Sequence, residues 1–115
     1  MTNIYRKIFL SFFKDKDFSG KIEIVSDGHS YTFGRESAER EKVDIVVQDK
    51  NFFKKIILYV DIGLGEAYFL KYFTSQDLKA LLEWFVQNKE RLPGFNKQNK
   101  KYRLFEWAKI FSALL

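Results

Sequence analysis

The 115-residue chain contains no cysteine, so it has no disulfide framework, thiolate nucleophile or zinc-thiolate site, and its stability must come from packing. It has a single histidine, His29, which follows Asp27-Gly28 in a turn-forming stretch and reads as a solvated turn residue. A catalytic triad or a histidine metal set would need companions that are missing. There is no G-x-S-x-G elbow, no H-E-x-x-H, no C-x-x-C and no second histidine. The one proline, Pro93, ends the compact part of the chain together with Gly94. Long hydrophobic runs are absent as well. The opening MTNIYRKIFLSFFKDKD is too interrupted for a signal peptide or a spanning helix, which leads to the expectation of a cytoplasmic protein, peripheral at most on the inner membrane face.

Aromatic surface and positive charge are plentiful. Aromatic residues make up 18% of the chain, mostly as 13 Phe, and the length suits one domain with one core. The formal net charge of +5 is concentrated at the two ends, with Arg6, Lys7, Lys14 and Lys16 near the start and Lys89, Arg91, Lys97, Lys100, Lys101 and Arg103 near the finish. RNA binding would need basic residues interleaved with aromatics on a sheet face, whereas the expected strands carry Glu23 and Asp44, so nucleic acid is the weaker partner. Phe and Leu faces flanked by Lys and Arg are the pattern of a helix lying on an anionic membrane or on another domain. Arg6, Lys7, Lys97, Lys100, Lys101 and Arg103 are therefore the candidate membrane-surface residues.

Hydrophobic periodicity predicts a first helix from Thr2 or Asn3 to about Lys14, with Ile4, Ile8, Phe9, Phe12 and Phe13 on one face. Lys21–Val25 and Tyr31–Gly34 flank Asp27-Gly28 as a β-hairpin, and Val43–Gln48 reads as a further strand. Asp49 suits the N-cap of a second helix carrying Phe52, Phe53, Ile56, Ile57 and Val60. Leu70–Phe73 reads as a short strand. The T-S-Q-D spacing from Thr74 predicts a capping box, with Asp77 in the glutamate position, that starts a helix through Leu78, Leu81, Leu82, Phe85 and Val86. This order implies an α+β domain over residues 1–92, with helices packed on a small, mainly antiparallel sheet. Residues 93–115 read as a basic connection and the start of a C-terminal helix.

The densest candidate site is D-I-G-L-G-E-A-Y-F, residues 61–69. It lacks the third glycine and the preceding strand of a dinucleotide loop, so Gly63 and Gly65 are better explained by a sharp corner between two helices. Glu66, beside Ala67, Tyr68 and Phe69, must be paired if it is partly buried. It either braces the turn or orients a neighbouring domain or polar ligand. A lone general acid there has no evident partner. Phe52, Phe53, Phe69 and Leu81 are candidates for the wall of an apolar lipid groove, while Gly63, Gly65, Glu66 and Tyr68 are structural or docking candidates.

The succession G-K-I-E-I-V-S-D-G-H-S-Y-T-F-G from Gly20, V-D-I-V-V-Q-D from Val43, D-I-G-L-G-E-A-Y and T-S-Q-D-L resembles the N-terminal domain of bacterial cyclopropane-fatty-acyl-phospholipid synthases over most of residues 15–90. The block around Gly63, Glu66, Ala67 and Tyr68 is its most specific part. After E-A-Y-x the family has a small or acidic residue with Gly, and often a Trp, where this chain has Leu70-Lys71-Tyr72-Phe73. The resemblance implies a sterol-carrier-protein-like fold, a phospholipid or anionic membrane partner, and a C-terminal methyltransferase domain that uses S-adenosylmethionine. It gives this chain no catalytic, cofactor-binding or metal residue, and so no enzyme activity of its own. A stand-alone lipid carrier and a homodimerising interaction domain are the alternatives.

Overall fold

The computed structural model of the protein describes residues 4–39 and 41–92, apart from the side chains of 60–62. The expected 93–115 segment, with its basic residues Lys97, Lys100, Lys101 and Arg103, lies outside the described residues. The fold is α+β, in the order α1 (Ile4–Ser11), β1 (Ile22–Ser26), β2 (His29–Phe33), β3 (Val43–Val47), α2 (Asn51–Phe69), β4 (Phe73–Thr74) and α3 (Leu78–Asn88), with a final 3-10 turn at Lys89–Arg91.

The hairpin forms as its sequence demands. Asp27 and Gly28 both take positive φ (51° and 76°), the conformation of a two-residue type I′ turn, and Ser26 faces His29 across it. The sheet, however, is mixed rather than mainly antiparallel. Its order is β2-β1-β3-β4, with β1 and β3 parallel and the two outer pairs antiparallel. The reason is geometric. Strand β2 already returns the chain to the end where β1 began, so the following loop need only pass under that end to start β3 alongside β1 and in the same direction. Backbone bonds from Arg35 N to Phe18 O (3.1 Å) and from Val43 N to Lys21 O (3.0 Å) hold this underpass in place.

Register sets the two faces of the sheet. Ile22 lies opposite Val43 and Ile24 opposite Ile45, so all four point to one side and are buried there. The other side carries Glu23, which accepts from Ser30 Oγ and from Lys42 Nζ, and Asp44, which accepts from Ser75 Oγ and the Gln76 amide. One face is apolar and helix-covered, the other polar.

The core is chiefly aromatic. Phe9 of α1 meets Phe52 and Phe53 of α2 at centroid separations of 5.5 and 5.4 Å, and Phe13 and Phe18 continue the cluster to Trp84 of α3. The buried polar atoms of Trp84 and Asn88 are matched. Trp84 Nε1 donates to the Gly20 carbonyl (2.9 Å), while Asn88 donates to the Ser19 and Trp84 carbonyls and accepts from the Ser19 amide. These bonds tie the end of α3 to the segment entering β1.

Several expected boundaries shift. Helix α1 ends at Ser11 rather than near Lys14, its last amides bonding three residues back (Phe12 N to Phe9 O, Phe13 N to Leu10 O) before Asp15 turns left-handed at φ 58°. Its expected single apolar face is also split: Phe9 and Phe13 are buried, but Ile4 and Ile8 are exposed. The formal cap of α2 is Lys50, although the Asp49 carboxylate does accept from the Asn51 amide at 2.8 Å. The expected capping box at Thr74 does not form. Thr74 is spent on the sheet opposite Val46, and Asp77 itself caps α3 by accepting from the Ala80 amide at 3.0 Å.

Helix α2 ends in a Schellman arrangement, with Tyr72 N bonded to Ala67 O (2.8 Å) and Lys71 N to Tyr68 O (3.0 Å). Lys71 occupies the left-handed position, φ 62°, usually filled by glycine. The left-handed conformation costs a side-chain-bearing residue about 1–2 kcal/mol, partly offset by the roughly 0.5–1 kcal/mol of extra backbone entropy that glycine loses on folding. Lys71→Gly should therefore raise stability by about 0.5–1 kcal/mol, read as a higher urea midpoint at unchanged slope. An equal or lower midpoint would contradict this account of the turn.

Candidate functional site

Residues 61–69 all lie within the helical run of α2, so Gly63 and Gly65 do not interrupt it as a loop would. The run is nevertheless sharply bent. At 1.5 Å per residue a straight helix would place residue 63 about 12 Å beyond residue 55 along the axis. A Cβ built on Gly63 would instead lie 2.3 Å from the Lys55 carbonyl oxygen and 3.2 Å from the Tyr59 Cβ. Residues 55 and 66, about 16 Å apart in a straight helix, are joined side chain to side chain by Lys55 Nζ and Glu66 Oε2 at 2.9 Å. The corner expected from the glycines is present, made by folding the helix back on itself. Only a residue without Cβ lets the two limbs touch at residue 63.

Glu66 is the brace of this corner. Its side chain is 46% exposed, and its partner Lys55 also sits over the Tyr59 ring, 5.5 Å from the centroid. The hydrogen bond to Glu66, and secondarily the Glu66 charge, hold the Lys55 ammonium above its ordinary range. Lysine in this state is a fixed cation and a poor nucleophile. Tyr68 is half-buried, packed on Phe73 and edge-on to Phe69 (5.9 and 6.1 Å), so it anchors the second limb to β4. Ala67 is fully buried beneath it.

The four residues expected to share a lipid groove do not share a wall. Phe52, Phe53 and Leu81 are at most 1% exposed and belong to the packed core, whereas Phe69 is 55% exposed. The physical reason is the bend, which buries the first turn of α2 between α1 and the sheet and leaves the end of the second limb at the surface. Exposed with Phe69 are Leu70, Leu58 and Tyr59, and Ile4 and Ile8 on α1. Of the basic candidates, Arg6 is turned inward to Asp27, Nη1 to Oδ2 at 2.9 Å, while Lys7 is exposed.

Sequence reasoning missed Lys55, Tyr59 and Lys71. Lys55 and Glu66 stand at a spacing that no regular helix brings together, and the glycines were the only signal that something other than a regular helix was present. His29 is exposed at the start of β2. Among the described residues no group of three or more His, Asp or Glu side chains is placed to hold a metal ion, and no helix is long and apolar enough to cross a membrane. No protein-family model, curated protein or solved structure matches this chain.

Two outcomes follow from the corner. Gly63→Ala forces a methyl group into the Lys55 carbonyl and should destabilise the protein by about 1–3 kcal/mol, with unfolding followed by urea; a neutral result would refute the close approach. The pH dependence has a definite sign. Because Lys55 binds its proton more tightly folded than unfolded, its contribution is fully present below its ordinary value of 10.5 and is lost as pH rises through the higher folded value. Urea midpoints measured from about pH 9 upward should fall more steeply for the wild type than for Glu66→Gln, and parallel slopes would remove the ion pair from the account.

Proposed function

We propose that this chain is the non-catalytic N-terminal domain of a cyclopropane-fatty-acyl-phospholipid-synthase-like methyltransferase. It docks on anionic lipid and helps present an acyl chain to an S-adenosylmethionine-dependent domain outside this chain. The observation that carries the reading is the form taken by its most specific block. G-L-G-E-A-Y builds a bent, ion-paired helix that ends in a left-handed turn at Lys71. Lys71 stands in that turn where the family pattern has a glycine, a departure from it, and Phe69 and Leu70 are exposed beside the turn.

Helices on one face of a small sheet are compatible with the sterol-carrier-like fold that the resemblance implies. Exposed Ile4 and Ile8 beside Lys7 give α1 the mixed apolar and basic surface that favours the headgroup zone of an anionic membrane. On this reading the protein is peripheral on the cytoplasmic membrane face and Glu66 acts through structure, by fixing the aromatic wall.

Co-sedimentation with vesicles tests the proposal. The chain should pellet with equimolar phosphatidylcholine and phosphatidylglycerol at low salt, pellet less as salt rises, and remain in solution with phosphatidylcholine alone. Replacing both Phe69 and Leu70 by Ser should weaken binding about tenfold or more, from the apolar area withheld from the bilayer. Failure of the wild type to pellet with the anionic vesicles at low salt would sink the docking role. Concentration-dependent self-association in that same experiment would assign the apolar rim to a homodimer instead.

A further inference from the structure

Strand β2 is an open edge of the sheet. It ends the order β2-β1-β3-β4, and its five residues pair with β1 in an unbroken register without a bulge. In a two-residue hairpin the closing pair, here Ser26 and His29, is hydrogen-bonded, so bonded pairs recur at Ile24 with Tyr31 and Ile22 with Phe33. Lys21, just before β1, keeps the same phase, because its carbonyl turns the other way and accepts from Val43 N. The backbone N–H and C=O groups of Ser30 and Thr32 therefore point away from β1, and among the described residues no hydrogen bond reaches them.

The devices that ordinarily protect such an edge are missing. Residues 29–33 read H-S-Y-T-F, with no proline and no Lys, Arg, Asp or Glu. The opposite edge is protected, since β4 has two residues and the chain passes almost at once into α3. Charge at the two ends of β2 is settled within the chain, Asp27 by Arg6 and Arg35 by Asp17, so neither end repels a second copy.

The strand is also complementary to itself. A two-fold axis normal to the sheet at Tyr31 sets Ser30 against Thr32 of a second copy, and Thr32 against Ser30 of that copy. These are the residues whose backbone groups point outward, and all of them are satisfied in four N–H···O bonds. Tyr31 then faces Tyr31 of the second copy in a non-hydrogen-bonded pair, about 4.5 Å apart at Cα, where aromatic pairs stabilise a sheet. Tyr31 lies on the helix-covered side, opposite buried Ile24, yet is only half-buried because β2 ends the sheet. Sliding the register by two residues either way leaves three pairs of the five and brings Gly28 or Gly34 into the ladder.

We infer that β2 is a dimerisation edge, through which two copies of this chain join by antiparallel pairing of residues 29–33 into one continuous sheet. With one open edge per chain the assembly closes at two. The paired strands are short, so the dimer is weak. At the micromolar concentrations of vesicle pelleting the chain is monomeric, and self-association seen there still belongs to the apolar rim. The inference goes beyond the docking reading and stands without it.

Sedimentation equilibrium and amide NMR spectra of the 115-residue chain, from about 20 µM to about 1 mM, test the edge. Dimer mass should grow toward the top of that range, with saturable shifts centred on residues 29–33 and slowed exchange at the Ser30 and Thr32 amides. Thr32→Pro removes an outward N–H from each copy, and with them two of the four bonds, without touching the β1 ladder. It should weaken association about tenfold or more. Thr32→Lys puts an ammonium on the same edge and should also weaken association about tenfold, which keeps the test decisive should proline disturb the fold. Replacing Phe69 and Leu70 by Ser should leave association unchanged. A monomer throughout the range, growth beyond a dimer, shifts centred elsewhere, or association that resists both Thr32 variants would overturn the inference. Vesicle pelleting without this dimer ends the edge alone, and the dimer without pelleting ends the docking role alone.

Discussion

The approach of Gly63 to the Lys55 carbonyl decides where the second half of α2 can go, and much of the molecule depends on that direction. With the limbs pressed together, the first presents Phe52 and Phe53 to α1 and the sheet, and the second carries Tyr68 back against Phe73. The chain then leaves the helix through the left-handed Lys71 and reaches β3 almost at once, so that Phe73 and Thr74 can pair with Val47 and Val46. A straight helix of the same length would deliver its last residue nearly 30 Å from its first. The Tyr72 carbonyl, however, accepts the Gln48 and Asp49 amides at 2.8 and 3.1 Å, so the end of α2 must return to its beginning.

What the sequence made legible follows the range over which each feature is decided. The Asp27-Gly28 turn is settled by two residues and the strands beside it by period-two alternation, and both appear where the pattern puts them. Helix α3 is equally local, yet its cap was misplaced because Thr74 and Asp77 are both competent. Pairing with Val46, a contact 28 positions away, decides between them. The parallel pairing of β1 with β3 is a property of chain path and leaves no mark in either strand. Lys55 and Glu66 were hidden for the same reason: their meeting belongs to the bend, and the sequence showed only that glycine permits one.

The expected groove failed for a different cause. Phe52, Phe53, Leu81 and Phe69 share a composition, and composition cannot separate core from wall when the same side chains serve both. Each limb of α2 has a buried and an exposed side: the first buries Phe52, Phe53 and Ile56 but exposes Leu58 and Tyr59, and the second buries Leu64 and Ala67 but exposes Phe69. The apolar residues of α1 are divided in the same way, Phe9 inward and Ile4 and Ile8 outward.

An exposed aromatic rim is costly to maintain in water and useful only if it meets a partner in one geometry. Binding any apolar surface loses conformational entropy in each side chain and backbone segment that must be ordered, roughly 0.5–1.5 kcal/mol per mobile side chain. The Glu66–Lys55 pair, the cation over Tyr59 and the packing of Tyr68 on Phe73 hold the side chains of this corner in place. A surface carboxylate pair contributes little to overall stability, so its place at this corner makes more sense as pre-organisation than as support for the core.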